Sequence, residues 1–213
     1  MTAARASRAG NSGGDDGDSF PLPFRQAVTA LSAARPRPQV RISPLPAPRR
    51  LAPYAFALEA AVSDPDGAGE ELADGRFVLL HDPEGQESWQ GMFRVVTLGR
   101  AELEPEMAQD PLLPEVTWSW LTGALEAREA EYGAPSGTVT RSGSTFFGGL
   151  AERAPQEVLE IRASWTPAGG EGAPEVAAHL SAWCEMLCQC AGLPPETGDS
   201  GSVVQLPQRR GPQ

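Results

Sequence analysis

The chain has 213 residues, with 28 acidic side chains against 17 basic ones and a net charge of −11 near neutral pH. All basic residues are arginines, and there are only two histidines and three cysteines, so the side chains that most often carry acid–base, amine or thiol chemistry are scarce. This scarcity argues against most enzyme classes, and a hydrophobic content of 40% argues against a disordered chain.

The charge is unevenly distributed along the chain. Residues 1–50 carry eight arginines and three aspartates, whereas the remainder carries nine arginines and 25 acidic residues. A body this acidic repels a phosphate backbone, so direct nucleic-acid binding by the body is not expected. No segment reaches the roughly 18 apolar residues of a membrane span, and we expect a cytoplasmic protein without membrane contact.

The distribution of apolar residues predicts one domain over residues 20–195, between disordered tails at 1–19 and 196–213. Its first helix ends at Arg35-Pro36. The arm that follows, residues 35–50, is rich in proline and arginine and is predicted to be extended. We expect it to dock at a sheet edge through residues 40–43. A free arm that recognises an acidic partner or RNA is the alternative.

The rest of the domain alternates between strand and helix patterns. The resulting order, α-β3-α-β2-α, predicts an α+β fold: an antiparallel sheet of about five to six strands with helices packed on one face. This order is similar to that of type III secretion chaperones and YbjN-like proteins, which are binding modules. The predicted strands cover residues 54–62, 76–81, 92–103, 137–147 and 157–165, and the later helices cover 114–131 and 174–190.

Several strings of the sequence resemble one uncharacterised actinobacterial family, the domain-of-unknown-function family numbered three thousand. They include PAPRRLAPY at 46–54, LLHDP at 79–83, ELEPEM at 102–107 and DPLLPEV at 110–116. The resemblance covers about residues 24–195. It implies a bacterial cytoplasmic protein with no assigned activity, so no catalytic residue or cofactor is carried over. Family genes that neighbour a ribonuclease D-like gene imply a further alternative, an accessory role in RNA metabolism.

Two tryptophans on the predicted second helix indicate an interaction surface. Trp118 and Trp120 are roughly 200° apart around a helix axis, so they cannot both face one core. With Trp120 facing the core, Trp118 lies with Thr122 and Leu125 on a second apolar face, which is predicted to bind a protein partner or a second copy of the chain. Cover by another part of the chain, such as the arm, is the alternative.

Arginines on the solvent side of the predicted sheet offer a different kind of site. Arg94, Arg100 and Arg162 are predicted to share the face away from the core, where they form either an anion-binding floor or cross-strand pairs with glutamates. Glu102 and Glu104, at the end of one strand, form either a weak site for a divalent cation such as Mg²⁺ or a solvated acidic rim.

The remaining reactive side chains favour structural roles. Cys184, Cys188 and Cys190 lie on one predicted helix, where all three cannot reach one metal, so we interpret them as buried apolar groups. His81 precedes a predicted turn, and His179 lies beside an apolar helix stripe. These features together favour a non-enzymatic protein-binding or adaptor module. A small-molecule (anion) binding protein or enzyme that uses the arginine-lined sheet face is the alternative.

Overall fold

The computed structural model describes residues 20–64, 69–169 and 172–195. Both predicted tails, 1–19 and 196–213, lie outside the described residues. The described residues form four helices, six strands and one short 3₁₀ turn at Gly148–Leu150. In chain order the elements are α1 (Leu22–Ala33), β1 (Val40–Leu45), β2 (Tyr54–Ser63), β3 (Glu71–Gln86), β4 (Gly91–Leu103), α2 (Pro105–Ala108), α3 (Leu113–Ala127), β5 (Tyr132–Ser144), β6 (Gln156–Pro167) and α4 (Val176–Cys190).

The six strands form one antiparallel sheet in the order β1-β2-β3-β4-β6-β5. Strands β1 to β4 are sequential neighbours, as expected when antiparallel strands are joined by short connections. The last two strands do not follow chain order in the sheet: β6 pairs with β4, and β5 pairs with β6 and forms the far edge. The α+β class and the antiparallel sheet are therefore confirmed. The element order differs from the prediction, because β1 and α2 add a strand and a four-residue helix.

The extra strand comes from the proline- and arginine-rich arm. Val40 pairs with Val62, and Leu45 pairs with Ala57, so the arm docks at the edge of the sheet as one of the two alternatives predicts. Pro44 lacks an N–H group, which an edge strand tolerates because one of its sides has no ladder partner. The arm blunts an edge that would otherwise expose the hydrogen-bonding groups of β2.

Helix α4 crosses the middle of the sheet at a notch made by two paired glycines. Gly75 on β3 lies opposite Gly99 on β4. A Cβ atom on Gly75 would lie 2.6 Å from the ring of Trp183, and one on Gly99 would lie 2.8 Å from Leu187. The absent side chains let α4 approach the strands closely. With α1 and α3 on either side, eleven of its 15 residues are buried.

Several predicted boundaries differ from the structure. Residues 71–74, predicted as loop, belong to β3, because its polar side chains can face solvent on the uncovered side of the sheet. Strand β3 also continues to Gln86, beyond its predicted end at residue 81, and β5 covers Tyr132–Ser144 and not 137–147. Helix α3 ends at Ala127 and not near Glu131. Glu129 adopts φ +52, and the N–H group of Ala130 donates to Leu125 O at 3.0 Å, which closes the helix end.

None of the helices within the described parts of the chain has the length and apolar character needed to cross a membrane.

Candidate functional site: the open face of the sheet

The helices pack on one face of the sheet, and we call the opposite face the open face. Strand alternation places its side chains in rows that run across the six strands. The central row is apolar on four strands: Leu45, Ala57, Val78 and Val96. It continues as Ser164 and Ser136 on the last two strands. No described helix contributes to this face, so its chemistry is that of the strands alone.

The centre of the open face is a shallow depression of about 510 Å³. Its floor is lined by the half-buried side chains of Val78, Val96 and Leu98. Arg76 and Arg162 stand beside this floor on the neighbouring row. The depression therefore combines an apolar centre with charged groups at its margin, which is the composition typical of protein-binding surfaces.

Two of the three predicted anion-binding arginines are held by one carboxylate. Arg100 Nε donates to Glu160 Oε2 at 2.7 Å, and Arg162 Nε donates to Glu160 Oε1 at 2.7 Å. The hydrogen bond from Arg100, and then that from Arg162, lowers the pKa of Glu160. Arg100 and Glu160 form the cross-strand pair of the predicted alternative, and Arg162 joins them from two residues along the same strand as Glu160. An incoming anion would have to compete with Glu160 for both guanidinium groups.

The third arginine, Arg94, is separated from this pair and has a structural role. It is 7% exposed, and burial lowers its pKa from the ordinary value without removing its charge. Its guanidinium donates to Ala134 O at 2.9 Å and to Ser164 Oγ at 2.8 Å. Ala134 adopts φ +47 where β5 slips its register against β6, and Arg94 satisfies the carbonyl that this irregularity leaves outside the ladder.

The two predicted metal ligands lie on either side of the end of β4. Glu102 is on β4, where Oε1 accepts a hydrogen bond from Gln156 at 3.4 Å, and Glu104 precedes α2. Across residues 20–64, 69–169 and 172–195, no three His, Cys, Asp or Glu side chains are grouped so that they could hold a metal ion.

The predicted tryptophan face is corrected by the position of α3. Leu125 is 1% exposed and belongs to the core, so it is not available to a partner. Trp118 is half-buried and lies over β5: a Cβ atom on Gly137 would be only 2.6 Å from its ring. Thr122 is half-buried, and its hydroxyl donates to Trp118 O at 3.4 Å. The cover of Trp118 thus comes from β5 and not from the arm.

Both histidines are buried in their neutral forms. Trp165 Nε1 donates to His179 Nδ1 at 3.1 Å, and desolvation lowers the pKa of His179 to about 4. His81 stacks on Phe93 with ring centroids 4.2 Å apart, and burial lowers its pKa as well. Neither imidazole is placed for acid–base work on a ligand at the surface.

The three cysteines are buried and none of them forms a disulfide. Burial raises the pKa of Cys184 and that of Cys190 to about 12, so both stay as unreactive thiols. This agrees with their interpretation as apolar groups of the core.

One buried charge cluster, which holds the arm, was not predicted from the sequence. Glu185 on α4 is 7% exposed. Its Oε2 atom lies 3.6 Å from Nη1 of Arg37 and 3.8 Å from Nη2 of Arg128. Arg37 also donates to Pro194 O at 3.0 Å. The sequence pattern that could have predicted this cluster is a single acidic residue among the apolar residues of a helix, since a buried carboxylate needs charged partners.

The family comparison agrees with the resemblance seen in the sequence. The family model of a protein of unknown function, DUF3000, matches residues 20–200. No curated protein matches the chain, and no solved structure does. The likeness to type III secretion chaperones therefore stays a prediction.

Proposed function

Because the chain belongs to the DUF3000 family, whose description assigns no activity, we propose a function from its geometry: a non-enzymatic cytoplasmic module that binds another protein chain through the open face of its sheet. The observation that carries the proposal is the one-sided cover of a six-stranded sheet. The uncovered side has an apolar centre about Val96 and paired charges around it.

Several contacts support a binding role over catalysis. The histidines and cysteines are buried, and burial lowers the pKa of His81 and His179 and raises that of Cys184 and Cys190, which favours the neutral form of each. Cysteines outside any disulfide also suit the reducing cytoplasm. On the open face itself, the charged groups are arginines and carboxylates, and two of the arginines, Arg100 and Arg162, pair with Glu160. Such pairs give specificity to an interface more readily than they activate a substrate.

The same pairing favours a protein over a small anion as the ligand. A phosphate or carboxylate would gain little from Arg100 and Arg162 while Glu160 occupies both. A protein surface covers the apolar floor and meets the charged margin at the same time. We therefore expect anionic metabolites to leave the melting temperature of the purified protein unchanged.

The experiment is quantitative capture from cells that express a tagged chain at native level, comparing wild type with Val96→Asp. The substitution places a charge at the centre of the apolar floor, where a partner would have to desolvate it. We expect partners that wild type recovers, an untagged copy of the chain included, to be lost with Val96→Asp.

Val116→Asp is the matched control. Val116 is 37% exposed on α3 and lies away from the open face. This variant should recover the same proteins as wild type. The proposal fails if Val96→Asp, shown by circular dichroism to be folded, recovers every partner of wild type at the same abundance.

A further inference from the structure

Resting on the proposed function, the geometry points to a specific partner: we infer that the open face binds the open face of a second copy of this chain, which makes a two-fold symmetric dimer. In such an interface the same patch serves both subunits, so it must be self-complementary in charge, large enough to hold two subunits together and able to fit its own shape. The open face meets these three conditions.

The first condition is charge balance. The paired strands place four solvent-accessible arginines and five carboxylates on the open face, whereas the remainder of the chain, the buried Arg94 included, holds thirteen arginines and 23 acidic residues. The open face is therefore close to neutral, while the remainder of the chain carries nearly all of the net charge of −11. The accessible charges of the open face are Arg41, Arg76, Arg100 and Arg162 with Glu59, Glu71, Asp74, Glu102 and Glu160.

The order of these charges also matters. One row starts at Arg41 on β1, passes Ala61 on β2 and continues as Asp74, Arg100 and Glu160 on the next three strands, so its charged positions alternate in sign. When two copies of a surface with alternating charge face each other, a displacement of one copy by one charged position places each charge opposite one of the other sign. A strongly basic or strongly acidic partner would instead meet like charges at every second position. The pattern therefore suits a second copy better than a partner with a large net charge.

The second condition is area. Six strands at a spacing of about 4.8 Å span about 24 Å, and the nine paired residues of β4 and β6 span about 30 Å. The open face thus offers about 700 Å² from each subunit, close to the roughly 800 Å² of a stable interface. The area is sufficient for a dimer without any contribution from the helices.

The third condition is shape. Long antiparallel strands twist, and a twisted sheet is concave along one diagonal and convex along the other. Two copies of such a surface fit when their strands cross at a large angle, as in orthogonally packed sheets. The depression over Val78, Val96 and Leu98 supplies the concave part in each copy.

Sedimentation velocity of the purified full chain over a dilution series tests the inference. We expect a concentration-dependent dimer with a dissociation constant in the micromolar range or below. Arg162→Glu should weaken it at least tenfold, since the exposed side chain tolerates substitution while the face gains two negative charges in each copy. Added salt should recover part of this loss, because screening weakens the new repulsion.

Arg153→Glu makes the same change in net charge outside the paired strands, at the connection between β5 and β6, and should leave the dimer unchanged. A wild-type chain that sediments as a monomer at every concentration overturns the inference, and so does a dimer that Arg162→Glu leaves intact. The proposed function is tested separately from the dimer. If the chain is a monomer but captures a different protein that Val96→Asp no longer captures, the proposed function is supported and only the dimer is ruled out. If Val96→Asp captures that protein as well as wild type does, the proposed function is ruled out.

Discussion

The two faces of the sheet belong to the same strands, but their side chains are satisfied in different ways. On the covered face, the glycines at 75 and 99 remove side chains so that Trp183 and Leu187 can reach the strands. On the open face, side chains of opposite charge satisfy one another across strands, as Arg100 and Glu160 do. One face of the sheet is therefore stabilised by close packing against a helix, and the other by ion pairs between its own side chains.

The difference also decides which face of the sheet is accessible to another protein. Trp183 and Leu187 are fully buried, so the covered face cannot open without unfolding. The groups of the open face are hydrogen-bonded at its margin and half-buried at its centre, and a second protein can cover them without a rearrangement. Stability therefore depends mainly on the first face, and binding on the second.

The largest effect is expected at the glycine notch. Gly75→Ala places a Cβ atom 2.5 Å from Leu98 O and 2.6 Å from the Trp183 ring, and the free energy of unfolding should fall by about 3 kcal/mol. Gly123→Ala is the control, because a Cβ atom there has no neighbour within 4 Å and alanine favours the helix by about 1 kcal/mol. Urea denaturation measures both. Equal effects of the two substitutions would contradict the steric account of the covered face.

The next effect is at Arg94, the one arginine of the open face that is buried. Arg94→Leu leaves Ala134 O and the hydroxyl of Ser164 without their donor, so we expect a loss of about 2.5 kcal/mol. Arg162→Gln, at a side chain that is 66% exposed, should cost less than about 1 kcal/mol. Thermal denaturation of both variants checks the order. A larger loss at Arg162 would mean that the open face depends on its solvated pairs.

A smaller effect is expected from acid on the covered face. His179 has a pKa of about 4 when folded and 6.5 as its ordinary value, so the unfolded state binds more protons in between and stability falls as the pH is lowered. The loss between pH 7 and pH 5 is about 2 kcal/mol. His81 adds to it in the same direction, because burial lowers its pKa too.

His179→Gln isolates this contribution. Glutamine keeps an acceptor for Trp165 Nε1 and does not titrate. The variant's free energy of unfolding, measured by urea denaturation at each pH, should therefore depend on pH by about 2 kcal/mol less than that of wild type over the same range. An unchanged slope would show that His179 does not stay neutral in the fold.

The sequence predicted the parts of the fold that depend on local pattern. The apolar stripe of α4 and the docking of residues 40–43 follow from residue spacing and from the position of prolines. The start of β3 was not predicted, because the polar residues at 71 and 74 are typical of a loop unless the sheet has an open face. Whether a sheet is covered on both sides is a tertiary property.

The site was less predictable than the fold for the same reason. The acceptors of Arg94 lie 40 and 70 residues away, on strands whose register the sequence does not specify. The rotation of α3, which buries Leu125, depends on the space that Gly137 leaves for Trp118. The pairing of Arg100 and Arg162 was predicted as an alternative, since cross-strand pairs follow from alternation, but their common partner was not fixed.

Thiol labelling at Thr138 tests the central claim, that the open face is the surface covered by another protein chain. Thr138 is exposed at the edge of the depression, and the native cysteines are buried and unreactive. In intact cells, the thiol introduced by Thr138→Cys should react several-fold more slowly than in dilute purified protein. The thiol from Ser119→Cys, on the exposed side of α3, should react equally fast in both. Equal labelling of Thr138→Cys in cells and in dilute solution would contradict the account.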